Sequence, residues 1–202
     1  MGPAVGPAMT YTDLLQVLRR TDPEIHSAVA CGSRVYGTAN VDSDEDFLVV
    51  LHAPTRSEVV FRPGLNVVLQ GFDHFQDALR QQSVFALEAF FLPPAHRLKH
   101  GKANYTLDRH RLHRAASEKS DADFQKAAKT FALEPNAARK KLFHSLRVPS
   151  FARQIARTGA IHDYGETNSL WEEIATDPVS DWAMVHDRYA ALREQLCAEI
   201  LS

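Results

Sequence analysis

Two aspartates in alternate positions, Asp44 and Asp46, stand ten residues after the pair Gly32-Ser33, and an apolar run from Phe47 to Leu51 follows them directly. Side chains in a strand alternate between faces, so the spacing predicts that both carboxylates point one way and Glu45 the other. Two acids on one strand make a ligand set for a hard divalent cation, Mg2+ or Mn2+, which is commonly held by one or two carboxylates together with substrate phosphates. Gly32 supplies the complementary half: it permits a tight turn whose backbone N–H groups approach an anion, and Ser33 adds a hydroxyl. Upstream, His26 to Cys31 (HSAVAC) reads as a short buried strand, giving the order strand, anion-binding turn, cation-binding strand. Asp, Ser and Gly are also ordinary turn residues. The Gly-Ser pair at this distance favours a site over a plain turn.

Further charged residues fall where a core or a solvated face would be expected. Between Val84 and Leu92, Val84, Leu87 and Phe91 share a helical face with Glu88, placing an acid among core positions. A buried carboxylate needs a partner, and Arg34 or a later basic residue is the expected one; otherwise the Glu88 stem packs while its head reaches water. Between Asn136 and Val148, Lys141, His144 and Arg147 recur at i, i+3 and i+6, a stripe of donors suited to a phosphate chain or a solvated face, with Leu142, Phe143 and Leu146 left for the core. His96, His100, His110 and His113 have helical spacings that hold zinc elsewhere. No cysteine or acid completes that set and the interleaved Arg and Lys repel a cation, so a basic rim is expected instead.

The elements that must position these residues follow from periodicity and punctuation. Tyr11 to Arg20 has the spacing of a helix, with Thr12 as its N-cap. After the strand from Phe47 to Leu51, Glu58 to Phe61 and Leu65 to Gln70 read as strands around a Pro63-Gly64 turn, and Asp73 to Arg80 and Val84 to Leu92 as helices. Pro93-Pro94 marks a boundary, beyond which only helices are expected. One opens at Ser120 and runs over Phe124 to Phe131; the next spans Asn136 to Val148, with Pro149 breaking or kinking it before Phe151 to Arg157 and a Gly159 cap. Asn168 or Ser169 caps a helix through Ile174, and Val179 to Leu201 is a long amphipathic helix, for packing or for a dimer seam. The fold class is therefore α+β: a small mixed sheet flanked by helices over 1–92, followed by an all-helical domain over 93–202.

At 202 residues, 45% hydrophobic and 24% charged, the composition is that of a soluble globular protein. No apolar run reaches membrane-spanning length, and MGPAVGPAM lacks the basic start of a secretory signal. Cys31 and Cys197 cannot build a disulfide framework, and a cytoplasmic (or nuclear) location is expected. The net charge of -2 conceals an asymmetry: residues 1–94 hold 6 bases and 11 acids, residues 95–160 hold 15 and 5, and residues 161–202 hold 2 and 9. A basic middle suggests an anionic partner, a triphosphate or a nucleic acid.

The segment GSRVYGTANVDSDEDFLVV resembles the signature of the polymerase-beta-type nucleotidyltransferase superfamily, and GSRxYGT with SDxD resembles its RNA-repair-associated predicted members. The resemblance extends through Phe75 and Leu87-Glu88, with His74 where Lys is usual, to KKLFHSLR (Lys140 to Arg147), and spans roughly residues 27 to 175. It implies transfer of an NMP unit from an NTP to a hydroxyl acceptor, an RNA end, a small molecule or a protein side chain, with release of pyrophosphate. In that scheme Asp44 and Asp46 carry Mg2+ or Mn2+, Gly32 and Ser33 hold phosphate, Arg34, Lys141, His144 and Arg147 add donors, and Glu88 organises the pocket. The superfamily's third carboxylate, which helps hold a second metal and takes the acceptor proton, aligns with Asn66. An amide oxygen ligates a cation but is no general base near neutral pH. Glu58 or Asp73 substitutes only if the strand register differs. A nucleotide-binding sensor or scaffold without turnover, and a basic helical RNA-binding protein, are the alternatives. No membrane partner is expected.

Overall fold

The structure, a computed structural model, describes residues 9–177 and 181–202. Two compact units divide it: one comprises the described residues up to Arg80 with Phe85–Thr106, the other Gln81–Val84 with Leu107–Ser202.

The first unit begins with helix α1 (Tyr11–Leu18). Its N-cap is Thr10, not Thr12: the Thr10 hydroxyl accepts from Asp13 N–H (3.2 Å) while the Asp13 carboxylate accepts from Thr10 N–H (3.1 Å). The acid three residues on decides between the two threonines, because only Thr10 completes that reciprocal pair. Strand β1 (Ile25–Cys31) leads into the four-residue helix α2 (Ser33–Tyr36) and then strand β2 (Glu45–Leu51). Strands β3 (Glu58–Arg62) and β4 (Leu65–Gly71) follow, then helices α3 (Phe72–Arg80) and α4 (Val84–Phe91). A fifth strand, β5 (Arg97–Lys99), lies beyond Pro93-Pro94.

These strands form one mixed sheet in the order β3-β4-β2-β1-β5, with β2 and β4 parallel and the other neighbours antiparallel. Phe47, Val49, Leu51, Val67 and Leu69 are buried, as are Leu48 and Val50 on the opposite side of β2, so the central strands are covered on both faces. That explains their continuous apolar run.

The expectation of helices alone after Pro93 is corrected by β5. A 3-10 turn at Pro94–His96 reverses the chain, and Arg97 and Lys99 then pair with Val29 and Ala28 along β1. Three residues with a cation at each end carry no strand signature of their own; the open edge of β1 recruits them. The first unit accordingly extends to Thr106.

The second unit contains helices α5 (Arg109–Thr130), α6 (Pro135–Thr158), α7 (Asn168–Thr176) and α8 (Trp182–Ala198). Phe124, Phe131, Leu142, Leu146, Ile174 and Tyr189 are among the residues of its apolar core. The α7 N-cap position falls on Thr167, one residue before Asn168, and Asp181 caps α8 through its side chain. Val179, the expected start of that last helix, lies outside the described residues.

An expectation about α5 is corrected, and of the two alternatives at Pro149 the break is excluded. Ser120 is not an N-cap but a fully buried residue in the interior of α5, whose cap is Asp108, and α6 continues through Pro149 from Pro135 to Thr158. A proline lacks the N–H that would bond to the carbonyl four residues earlier, here Ser145. The Ser120 hydroxyl donates to that same carbonyl at 2.6 Å. The serine on one helix thus satisfies the group that the proline on the other leaves unpaired. Ser120→Ala is expected to cost about 1–3 kcal/mol, the penalty of an orphaned buried acceptor. In a Pro149→Ala background, where the helix regains its own donor, urea denaturation should show most of that cost removed.

Among the described residues no helix is long and apolar enough to cross a membrane.

Candidate functional site

Gly32 closes β1 with φ +75°, a conformation that favours glycine, and opens α2. After α2 the chain passes through a loop that is stitched to itself. The Asn40 side-chain oxygen accepts from Asp42 N–H (3.0 Å) and from the Ser43 hydroxyl (3.0 Å), while that hydroxyl accepts from Asn40 N–H (2.9 Å). Arg34 reaches across from α2 to donate to the Ser43 carbonyl at 2.8 Å, fixing the backbone immediately before Asp44. Its Nε is buried and makes no hydrogen bond. Arg34, expected to meet phosphate, therefore also braces the carboxylate loop.

Asp46 opens the sheet side of the site. It pairs with Cys31 on β1 and, in parallel register, with Asn66 on β4. Asn66 is thus the side chain beside Asp46 on the neighbouring strand. Its Nδ2 donates to Asp46 Oδ1 at 3.0 Å and to Asp44 Oδ2 at 3.2 Å. Both carboxylates consequently converge on a single atom. Glu45 is directed elsewhere and accepts from Met9 N–H at 3.1 Å. The second oxygen of Asp46 faces the Gly32 turn so closely that a Cβ built on Gly32 would sit 2.1 Å from it.

The two carboxylate oxygens meet at the Asn66 amide nitrogen, which occupies the position between them as a donor. As placed, the amide N–H groups supply the positive charge density between the two acids; turning the amide over would present its oxygen instead. Among the described residues no group of three or more His, Cys, Asp or Glu is placed to hold a metal ion. A cation bound by Asp44 and Asp46 would therefore complete its shell with phosphate oxygens and water.

No protein-family model matches this chain, and no curated protein matches it.

Glu88 is buried, and one of its partners is Tyr36, whose hydroxyl donates to Glu88 Oε2 at 2.5 Å. The acid of α4 thereby anchors the last residue of α2, and so acts on the turn from behind. Asn40 carries no role in the sequence reading, and Tyr36 enters it only as the tyrosine of GSRxYGT. Asn40-x-Asp42 has the spacing of an Asx turn, a usable signal; nothing local pairs Tyr36 with Glu88, which lies 52 residues away.

Lys141, His144 and Arg147 lie together on α6 in the second unit. Lys141 pairs with the buried Asp123 at 3.6 Å, which Lys119 also holds at 2.7 Å. Arg147 is buried and sits over the rings of Phe143 and Phe151, at 5.7 and 5.6 Å. Burial, then the charges of Arg147, Lys141, Lys119 and Lys140, hold the His144 pKa well below its ordinary value. Burial lowers His26 and His96 in the same direction.

A histidine depressed in this way is neutral in the fold and takes up a proton more readily once unfolded. Its stabilising effect is complete above the unfolded value of about 6.5 and is lost as pH falls from there toward the folded pKa. The urea midpoint should therefore fall between pH 7.5 and 5.5. His144→Gln should reduce that change, since burial and the surrounding cations disfavour the charged imidazole in the fold; an equal fall in the variant would contradict the assignment.

Proposed function

We propose that the chain is a metal-dependent nucleotidyltransferase of the polymerase-beta type, transferring an NMP unit from an NTP to a hydroxyl acceptor. The observation that carries this reading is the convergence of Asp44 and Asp46 on one point beside the Gly32 turn. Asp44 and Asp46 would hold Mg2+ or Mn2+, which when bound neutralises the triphosphate and stabilises charge developing at phosphorus. Gly32 and Ser33 receive phosphate oxygens, and Arg34 keeps the loop bearing Asp44 in place. The acceptor oxygen attacks the α-phosphorus, the α–β bridging P–O bond breaks, and pyrophosphate leaves with its electron pair. The hydroxyl proton passes to water, because the Asn66 amide cannot accept it.

A second reading, a nucleotide sensor without turnover, is favoured by one observation: the position expected to bear a base bears a donor, bonded to both acids. Incubating the protein with α-labelled NTPs, Mn2+ and hydroxyl acceptors separates the two. Label appearing on an acceptor with pyrophosphate release supports transfer. Mn2+-dependent NTP binding that Asp46→Asn abolishes, without transfer, supports the sensor. NTP binding indifferent to both chelation and Asp46→Asn overturns both.

A further inference from the structure

Four basic side chains fall within six residues, Arg97, Lys99, His100 and Lys102, and all four line one cleft of about 470 Å³ in the first unit. No acid lines it. Its floor is apolar: Val29, Leu48 and Val50 from the sheet, Phe75 from α3, Ala89 and Phe90 from α4. One of the cations is partly committed, since the Lys99 ammonium meets the Asp22 carboxylate at 2.8 Å. Arg97 is held in place by the Leu92 and Phe90 carbonyls. Lys102 is exposed at the rim.

The basic segment is pinned, so the cleft is formed in advance. Gln76 on α3 donates to the Asn104 carbonyl (2.5 Å) and accepts from its N–H (2.9 Å). His26 Nε2 lies 3.0 Å from the Lys102 carbonyl, and the chain passes so close that a Cβ on Gly101 would sit 2.3 Å from the His26 ring. Alternation along β2 places Leu48 and Val50 on the same face as Asp46, the first of them about 7 Å along the strand. The row of side chains that starts at the carboxylate continues as the floor of the cleft.

We propose that this cleft binds a small amphipathic organic anion, an apolar planar body with one phosphate or carboxylate group and a free hydroxyl, and that this hydroxyl is the acceptor in the proposed transfer. The second clause rests on the nucleotidyltransferase reading; the first does not. The volume lies in the range of small-molecule sites, and an apolar floor under a cationic rim suits such a molecule better than a polyanionic strand.

Calorimetric titration in EDTA without nucleotide tests it, using 1-naphthyl phosphate, 1-naphthoate, 1-naphthol and inorganic phosphate as probes. One of the two naphthyl anions should bind 1:1 at least about tenfold more tightly than naphthol or inorganic phosphate, and the stronger of the two identifies the headgroup. Ala89→Trp should fill the floor and remove binding. Lys102→Glu, at an exposed position, should weaken the anions and spare naphthol, which keeps the test decisive if the tryptophan variant does not fold. Equal affinity for naphthol and the anions, or binding unchanged by Lys102→Glu, overturns the proposal. Asp46→Asn should leave the naphthyl anion affinity unchanged. Anion binding that persists while Mn2+–NTP binding is absent would leave the cleft as a ligand site and remove the transferase reading alone. If transfer occurs but Lys102→Glu leaves the KM for anionic acceptors unchanged, the acceptor assignment is overturned.

Discussion

Asn66→Asp is expected to raise nucleotidyl transfer by about 10²-fold, or to make it detectable, because a correctly placed general base contributes roughly 10²–10⁴-fold. The position is set by strand register, with residue 66 beside Asp46 on the parallel neighbour and within 3.2 Å of both acids. The same substitution should weaken the metal-free protein. It removes an amide that donates to two carboxylates and puts a third negative charge among them, a loss of about 1–2 kcal/mol at a half-exposed site. Mn2+ should restore the loss and raise the melting temperature of the variant more than that of the wild type. Asn66→Ala separates the two effects, since it removes the donor without adding a base: it should be destabilised and gain no activity. A variant at residue 66 bearing Asp that is both inactive and insensitive to Mn2+ would show that no cation is held there.

Gly32→Ala should be the most damaging single methyl in the first unit. The added Cβ would lie 2.1 Å from Asp46 Oδ2 and 2.8 Å from its Cγ, and the backbone there has φ +75°. Backbone strain alone costs on the order of 1–3 kcal/mol. The collision adds to it and pushes aside a carboxylate whose placement matters, and a displacement near 1 Å can cost about 10²-fold in rate. Gly64 provides the control: its φ is +73°, but nothing lies within 4 Å of a Cβ built on it. Gly64→Ala should therefore show the strain without the collision. If both variants lose stability equally and both keep Mn2+–NTP binding, the packing of Asp46 against the turn is not what shapes the site.

The parts of this site legible in the sequence are those set by short-range rules. Gly32 announced its turn and one parallel register carried Asn66 to Asp46, whereas Asp44 stands one residue before β2, so strand alternation accounts for Asp46 and the loop for Asp44. The sheet and the helical second unit followed from apolar periodicity. What escaped depends on partners distant in sequence. Glu88 is legible as an acid needing a partner, but Tyr36, one of its partners, is 52 residues away and joins it only through the meeting of α2 and α4. Strand β5 exists because β1 offers an edge, not because Arg97-Leu98-Lys99 prefers extension. The first cap was misplaced for a local reason, since Asp13 stands three residues after Thr10 and only one after Thr12.

The bond between Ser120 and the Ser145 carbonyl bears on how this protein tolerates change over evolutionary time. It indexes α5 against α6: inserting one residue would advance a helix by about 1.5 Å and turn it by roughly 100°, leaving a dry carbonyl with nothing to meet. Length changes should accordingly be confined to stretches outside the two helices, such as the exposed residues 132–134, while the helices drift only by exchange. A lineage that discards the proline is then free to discard the serine, and one that keeps the proline is not.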